Sequence, residues 1–165
     1  MKRSAVISKD GRYRYVLRRV WDPARPTVLF IGLNPSTADH RADDPTIRRC
    51  VRFARDWGFG QLAVGNLFAF RTPRPRDLWT ARDPVGSRND TWLRRLVAEA
   101  DTTVAAWGAH GARFGRDQIV LEWLGRPMCL AITNDGHPRH PLYIPATARL
   151  RDLADQRTPQ LRRAY

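Results

Sequence analysis

Two asparagines in this sequence stand where a neutral amide could do chemistry. Asn34 follows an apolar run in VLFIGLNPSTAD, and Asn66 lies inside the apolar segment LAVGNLF. The carboxamide of Asn34 can hold a water molecule without introducing charge, although a loop asparagine also commonly caps a turn. An unpaired buried amide at Asn66 costs roughly 1–3 kcal/mol. A base edge is a suitable partner for Asn66 because an amide donates and accepts side by side, and a backbone partner is the alternative.

Two histidines four-fifths of the way along the chain are the next candidates. His137 and His140 lie in the segment NDGHPRHP. A histidine can donate a hydrogen bond to a developing anion or to a phosphate. The two prolines favour an extended segment in which Asp135 is the nearest carboxylate, whereas a zinc site needs three or four ligands. We therefore expect no metal here, and no cofactor elsewhere.

The segment ADHRADD adds an acidic cluster to a basic protein. Asp44, which precedes Pro45, is placed to cap a helix. Asp39 is a candidate general base or water-orienting group. The nucleophile-elbow motif G-x-S-x-G and the phosphate-binding motif G-x-x-x-x-G-K do not occur in the sequence, which disfavours a serine hydrolase or a P-loop enzyme.

The elements that must position these residues can be read from hydrophobic patterning. Apolar runs at 28–32, 62–68, 103–107 and 128–133 alternate with helical patterns. Nearly continuous apolar strands are typical of a parallel sheet covered by helices on both sides. Ligands of such sheets bind beyond the carboxyl ends of the strands. We therefore expect one composite site from these strand ends and the segments after them, formed by Gly32, Asn34, Ser36, Asp39, Thr46, Asn66, Phe68, Arg71, His137, Arg139 and His140.

The helical patterns fall between and after these strands. Asp44, Pro45 and Gly58 suit the start and end of a helix in DDPTIRRCVRFARDWG, which places Arg48 off its buried stripe. Further helices are predicted through SRNDTWLRRLVAEA, near GARFGRDQIVLEWLG with Phe114 buried, and in TARLRDL. We expect a single domain over 1–165, with its core over 27–153.

An N-terminal β-hairpin is predicted over 1–26. Asp10 and Gly11 separate two β-prone runs, a typical hairpin signal. Within the second run, Tyr13, Tyr15 and Leu17 alternate with Arg14, Val16 and Arg18. We expect this hairpin to be an extension closed off by Pro23 and Pro26.

The net charge of +13 points to a polyanionic partner. Of the 29 basic residues, Lys2 and Lys9 are the lysines, so 29 − 2 = 27 are arginines. A field of this size attracts nucleic acid in a salt-dependent manner. No apolar run is long enough to span a membrane, so we expect a cytoplasmic protein, a monomer by default. Two cysteines, Cys50 and Cys129, are too few for an iron–sulfur cluster.

Four motifs in order resemble those of the uracil-DNA glycosylase superfamily, most closely its thermostable bacterial branch. Within that superfamily, the chain resembles an uncharacterised bacterial family with a GLNPSTAD signature. They are GLNPS at 32–36, VGN at 64–66 with a basic, proline-rich continuation, VAAWG at 104–108, and His137-Pro138 with Pro145 before a closing helix. His140-Pro141 is an alternative match for the last motif. The sequence has Ser36 where the superfamily has glycine, and it lacks the cluster cysteines and an evident stacking aromatic after the first motif; Thr46 lies near that place.

This resemblance implies a three-layer αβα fold with a central four-stranded parallel sheet and hydrolysis of the N-glycosidic bond of a flipped-out base. It implies that Asn34 orients the attacking water, that Asn66 reads the base edge and that His137 stabilises the leaving base. Arg139 would lie by the DNA backbone, with Arg48 and Arg71 as further nucleic-acid contacts. The predicted function is a metal-independent DNA glycosylase acting on uracil or a modified base. A non-catalytic nucleic-acid-binding module and a hydrolase of free nucleosides or nucleotides are the alternatives.

Overall fold

The computed structural model describes residues 1–163, with side chains through residue 158, so the end of the expected 1–165 domain lies outside the described residues. Its strands are β1 (Lys2–Ile7), β2 (Arg14–Val20), β3 (Thr27–Gly32), β4 (Gln61–Asn66), β5 (Thr102–Ala105), β6 (Met128–Cys129) and β7 (Arg151–Asp152). Its α-helices are α1 (Pro45–Asp56), α2 (Asn89–Glu99), α3 (Arg116–Leu121) and α4 (Leu153–Arg163), with 3-10 turns at Pro75–Trp79, Ala109–Gly115 and Pro141–Tyr143. None of the described helices is long and apolar enough to cross a membrane. Because the chain combines one set of strands with several helices, it has an α/β fold.

The seven strands form one mixed sheet in the order β1-β2-β4-β3-β5-β6-β7. Strand β3 pairs parallel with both β4 and β5, and β5 pairs parallel with β6. The hairpin strands β1 and β2 pair antiparallel with each other, β2 pairs antiparallel with β4, and β7 does the same with β6. The predicted α/β class and N-terminal hairpin are present. The expectation of a parallel sheet was wrong, because the antiparallel hairpin and β7 extend the sheet at both edges and make it mixed.

Helices cover both faces of this sheet. Successive residues of β3 alternate between two apolar clusters, with Leu29 and Ile31 in one and Val28 and Phe30 in the other. The first cluster contains inward residues of α2 and α3, and the second contains the buried stripe of α1. A strand whose two faces both meet helices must be apolar throughout, which explains the continuous runs in the sequence.

The predicted helix α1 is confirmed at its N-terminus. Asp44 is the N-cap, its Oδ1 accepting from the backbone N–H of Ile47 at 2.9 Å, and Pro45 occupies the first helical position. The helix predicted near GARFGRDQIVLEWLG is present as α3, but the predicted burial of Phe114 and the predicted helix in TARLRDL were wrong. Phe114 is 64% exposed in a 3-10 turn, with φ of 59°, and α3 begins after it. The tail segment TARLRDL contributes β7 rather than a helix, and α4 begins at its last residue.

The fourth predicted strand, 128–133, is two residues long. Beyond β6 the chain folds back on itself, because the N–H of Thr133 donates to the carbonyl of His137 at 2.8 Å and Arg139 donates to Ala131 at 2.9 Å. This turn carries the NDGHPRHP segment toward the ends of the neighbouring strands.

Burial in β2 also differs from the alternation expected for a hairpin. Arg14 through Leu17 are all buried, and Arg19 is buried as well. The cause is that both faces of β2 are covered. Val16 belongs to one apolar cluster and Leu17 to the other, and the two buried arginines donate to backbone carbonyls of the loop after β3.

Candidate functional site

A cavity of about 590 Å³ opens at the carboxyl ends of β3, β4 and β5. The loop after β3, the first turn of α1 and the segment after β6 complete its wall. Seven predicted site residues line it: Gly32, Asn34, Ser36, Thr46, Asn66, Arg139 and His140. The remaining predicted site residues, Asp39, Arg48, Phe68, Arg71 and His137, are not part of this lining.

Asn34 ties two loops together at the cavity edge. Its Nδ2 donates to the carbonyls of Pro35 at 3.0 Å and Thr72 at 2.9 Å. The backbone N–H of Thr72 donates back to the carbonyl of Pro35 at 3.0 Å. Both donor hydrogens are thereby used by the protein, which leaves the Oδ1 of Asn34 as an acceptor for a water or a ligand.

Asn66 ends β4 with its carboxamide at the cavity. The residue is 4% exposed, and its side chain has no hydrogen-bond partner among the described residues. A Cβ on Gly32 would lie 2.8 Å from the Oδ1 of Asn66, so this position excludes any larger residue unless the amide moves. The glycine of the GLNPS segment is thus explained by the close approach of this amide.

The backbone of Asn66 is held from behind the cavity. The Nδ2 of Asn89, a fully buried residue, donates to the carbonyls of Asn66 at 3.0 Å and Leu67 at 3.1 Å. The buried Arg116 donates from Nε to the carbonyl of Leu67 at 2.8 Å and pairs with Asp90. These two side chains position the strand end and leave the carboxamide of Asn66 to the cavity.

Arg14 is a site residue that the sequence reasoning missed. It lines the cavity from β2 and is 2% exposed. Its Nη1 donates to the carbonyl of Ala38 at 2.8 Å, whereas its Nε has no partner among the described residues. Burial lowers the pKa of Arg14 to about 10, against the opposing charge of Asp44, so the guanidinium remains protonated at neutral pH. In the sequence, Arg14 stands out only as part of the hairpin alternation, which gives no indication of a site.

Asp44 lines the same cavity while it caps α1. Its Oδ2 accepts from the backbone N–H of Ala38 at 3.3 Å, in addition to the capping bond to Ile47. The carboxylate therefore satisfies backbone donors on both sides of the loop that it closes. Its capping role was predicted, but its place at the site was not.

His140, the alternative match, lines the cavity, and the ring of His137 is not part of the lining. The Nδ1 of His140 accepts from the backbone N–H of Leu142 at 3.2 Å. Burial lowers the pKa of His140, which favours the neutral ring. Because Nδ1 is an acceptor, the neutral ring carries its proton on Nε2. His137 is held through its backbone, with its N–H donating to the Oγ1 of Thr133 at 3.1 Å.

The four other predicted residues outside the lining have identifiable contacts. The Oδ1 of Asp39 accepts from the N–H groups of Arg41 and Ala42, and these bonds lower the pKa of Asp39. Arg71 donates to the carbonyl of Gly11, and the exposed Arg48 donates to that of Asp43. Phe68 is fully buried and makes edge contacts with Trp79 and Phe114. Their proposed roles remain predictions.

Exposed aromatic residues flank the cavity. Tyr143 is 72% exposed and lines it beside His140, with 5.6 Å between the ring centroids. On the wall formed after β5, His110 lies 6.0 Å from Trp79, and the guanidinium of Arg113 lies 4.6 Å over the same indole ring. Rings of this kind can stack on bases. Sequence reasoning missed them because they sit in 3-10 turns, which have no strong pattern.

Within the described part of the chain, no three His, Cys, Asp or Glu side chains are grouped as a metal site. No curated protein and no solved structure matches the chain. Residues 14–142, from Arg14 of the cavity wall to the residue after Pro141, match a family described as a protein of unknown function, DUF1643. Because this match spans most of the chain, the protein belongs to the DUF1643 family.

Proposed function

We propose that this protein is a DNA glycosylase-like hydrolase that cleaves the N-glycosidic bond of uracil or a modified base. The observation that carries the proposal is the convergence of the Asn66 carboxamide, the Oδ1 of Asn34 and the ring of His140 on one cavity. Its volume of about 590 Å³ lies within the range of roughly 300–1,000 Å³ typical of small-molecule sites. A carboxamide in its wall that has no hydrogen-bond partner among the described residues supports recognition of a planar ligand with adjacent donors and acceptors.

The cavity residues can be assigned roles in that reaction. The Oδ1 of Asn34 accepts a hydrogen bond from water and directs the water oxygen toward C1′ of the sugar. The C1′–N bond breaks as the C1′–O bond forms, and its electron pair leaves with the base. The neutral His140 donates from Nε2 to the oxygen on which this negative charge develops, and the proton lost by the water passes to solvent.

A DNA substrate is supported by charge and by the rim of the cavity. The net charge of +13 favours a polyanion, and exposed Arg139 lies in the cavity wall where a strand would pass. The exposed ring of Tyr143 in the cavity wall offers a stacking surface for a neighbouring base. The sheet pairing β4-β3-β5-β6, with helices on both faces, supports a uracil-DNA glycosylase-like core within the larger mixed sheet.

The test is base release from oligonucleotides that carry uracil or one of a panel of modified bases, as single strands and duplexes. Abasic sites are converted to strand breaks with alkali. We expect product on at least one substrate, and a loss of about 10²–10³ in rate for His140→Ala. His40→Ala is the matched control, since His40 is exposed and outside the cavity lining. The absence of product on every substrate would overturn the proposal.

A hydrolase of free nucleotides is the second candidate. Arg14, a buried cation in the cavity wall, favours it because a phosphate is a suitable partner. Release of base from mononucleotides, without preference for a polymer, would select this candidate. Salt-dependent DNA binding with no base release would instead select a non-catalytic binding module.

A further inference from the structure

Three arginines of the described chain are nearly fully buried, and one of them differs from the other two. Arg19 forms an ion pair with Asp43 at 2.7 Å, and Arg116 forms one with Asp90. Arg14 forms no ion pair with any described carboxylate, and its side chain makes a single hydrogen bond, from Nη1 to the carbonyl of Ala38. Arg14 lines the cavity, whereas Arg19 and Arg116 do not.

Two carboxylates raise the pKa of Arg14 through their charge, and both already accept hydrogen bonds from backbone N–H groups. Asp44 acts on it through charge, but both oxygens of Asp44 accept from backbone N–H groups. Asp39 also acts on it, and its Oδ1 is bonded within its own loop. The positive charges of Arg71 and Arg19 act in the opposite direction and lower the pKa of Arg14.

Burying the guanidinium of Arg14 with a single hydrogen bond costs free energy unless a further group pairs with its charge. An arginine stays protonated in proteins, so it cannot escape burial by losing its charge. A buried charge without a partner is strongly unfavourable, and an oxyanion is the partner that a guanidinium fits best. Its place in a cavity wall lets that partner come from outside the chain.

We propose that Arg14 anchors an oxyanion subsite in this cavity, which takes a phosphate or carboxylate attached to a ring of nucleobase size. The guanidinium donates to the oxyanion while the carboxamide of Asn66, 96% enclosed and unpaired among the described residues, hydrogen-bonds the ring. This proposal concerns binding in the same cavity and goes beyond base release. A cavity that binds an oxyanion without cleaving it would satisfy this proposal alone.

Two matched ligand pairs test the proposal by calorimetric titration of the full chain. The deoxyuridine 5′-monophosphate and deoxyuridine pair examines phosphate, and the uracil-5-carboxylate and uracil pair examines a carboxylate on the base. We expect at least one charged ligand to bind about ten- to a hundred-fold more tightly than its neutral partner, as for a hydrogen bond to a charged group. The pair that shows the preference identifies the source of the oxyanion.

Arg14→Gln should abolish that preference, and Arg14→Lys should retain part of it because the cation remains. Arg52→Gln removes the same charge from an exposed position of α1 outside the cavity, and we expect it to keep the full preference. The proposal is overturned if wild type binds none of the four ligands at millimolar concentration, or if both pairs bind equally. It is also overturned if Arg14→Gln, shown to be folded by circular dichroism, keeps the wild-type ratio. Base release is not measured in this titration, so failure of the glycosylase proposal would be seen separately.

Discussion

A buried arginine outside the cavity lining is satisfied by the protein, whereas a comparable arginine in the cavity wall is not. Arg19 and Arg14 lie on the same strand, and both are almost completely enclosed. Arg19 donates to the carboxylate of Asp43 and to the backbone carbonyls of Arg18 and Asp39. Arg14 is left with one backbone carbonyl. The difference separates a residue that stabilises the fold from one that is available to a ligand.

Two asparagines show the same contrast at the end of β4. Asn89 uses both hydrogens of its amide on the backbone of the strand end, and Asn66, whose carbonyl it holds, keeps its own amide unpaired. The amide hydrogens of Asn89 thus fix the backbone from which the carboxamide of Asn66 projects, although the Oδ1 of Asn89 accepts no hydrogen bond from a described residue. Pre-organisation of this kind lowers the cost of binding because the ligand need not order the site.

The largest expected effect in this comparison is on the two arginines of β2. We expect Arg19→Gln to lower the free energy of unfolding by about 3–5 kcal/mol, because it leaves the carboxylate of Asp43 without its buried partner. Arg14→Gln loses one hydrogen bond and should cost at most about 1 kcal/mol. Urea unfolding of both variants at low ionic strength measures the difference. Equal losses would make Arg14 a structural residue and end the comparison.

A smaller effect is expected for the two asparagines. Asn89→Ala leaves the buried carbonyl of Asn66 without its donor, so the free energy of unfolding should fall by about 1–3 kcal/mol. Asn66→Ala removes an amide with no protein partner, and the free energy of unfolding should stay the same or rise. Chemical denaturation of the pair checks this, and a marked loss for Asn66→Ala would show that its amide supports the fold.

The strands and the helix start that position the site could largely be predicted from the sequence. Continuous apolar runs identified strands with both faces covered, and the Asp44-Pro45 pair located the start of α1, since both signals depend on local chemistry. The collection of polar residues at strand ends led to seven residues that line the cavity.

The remainder depends on contacts between distant segments. Nothing near Arg14 in the chain indicates that the loop after β3 lies against its side chain, because the contact with Ala38 joins residues that are 24 positions apart. The choice between His137 and His140 likewise follows from the turn between Thr133 and His137, which carries His140 to the cavity. The exposed position of Phe114 follows from a positive φ that side-chain patterning does not reveal.

The smallest expected effect concerns His140, which combines both halves of the comparison in one ring. Its Nδ1 is satisfied by the N–H of Leu142, and its other nitrogen has no hydrogen bond to a described residue.

Burial lowers the pKa of His140 below its unfolded value of about 6.5, so the unfolded chain binds the proton first as pH falls. This residue's contribution to stability is therefore present at pH 7.5 and declines as pH drops from about 6.5 toward the folded pKa. Urea unfolding at pH 7.5 and pH 5.5 should show a smaller decline in the free energy of unfolding for His140→Gln than for wild type, with His40→Gln, whose ring is exposed, as the matched control. An unchanged decline in His140→Gln would show that the ring is not held neutral, and Nε2 would then lose its assigned place as the neutral donor in the cavity.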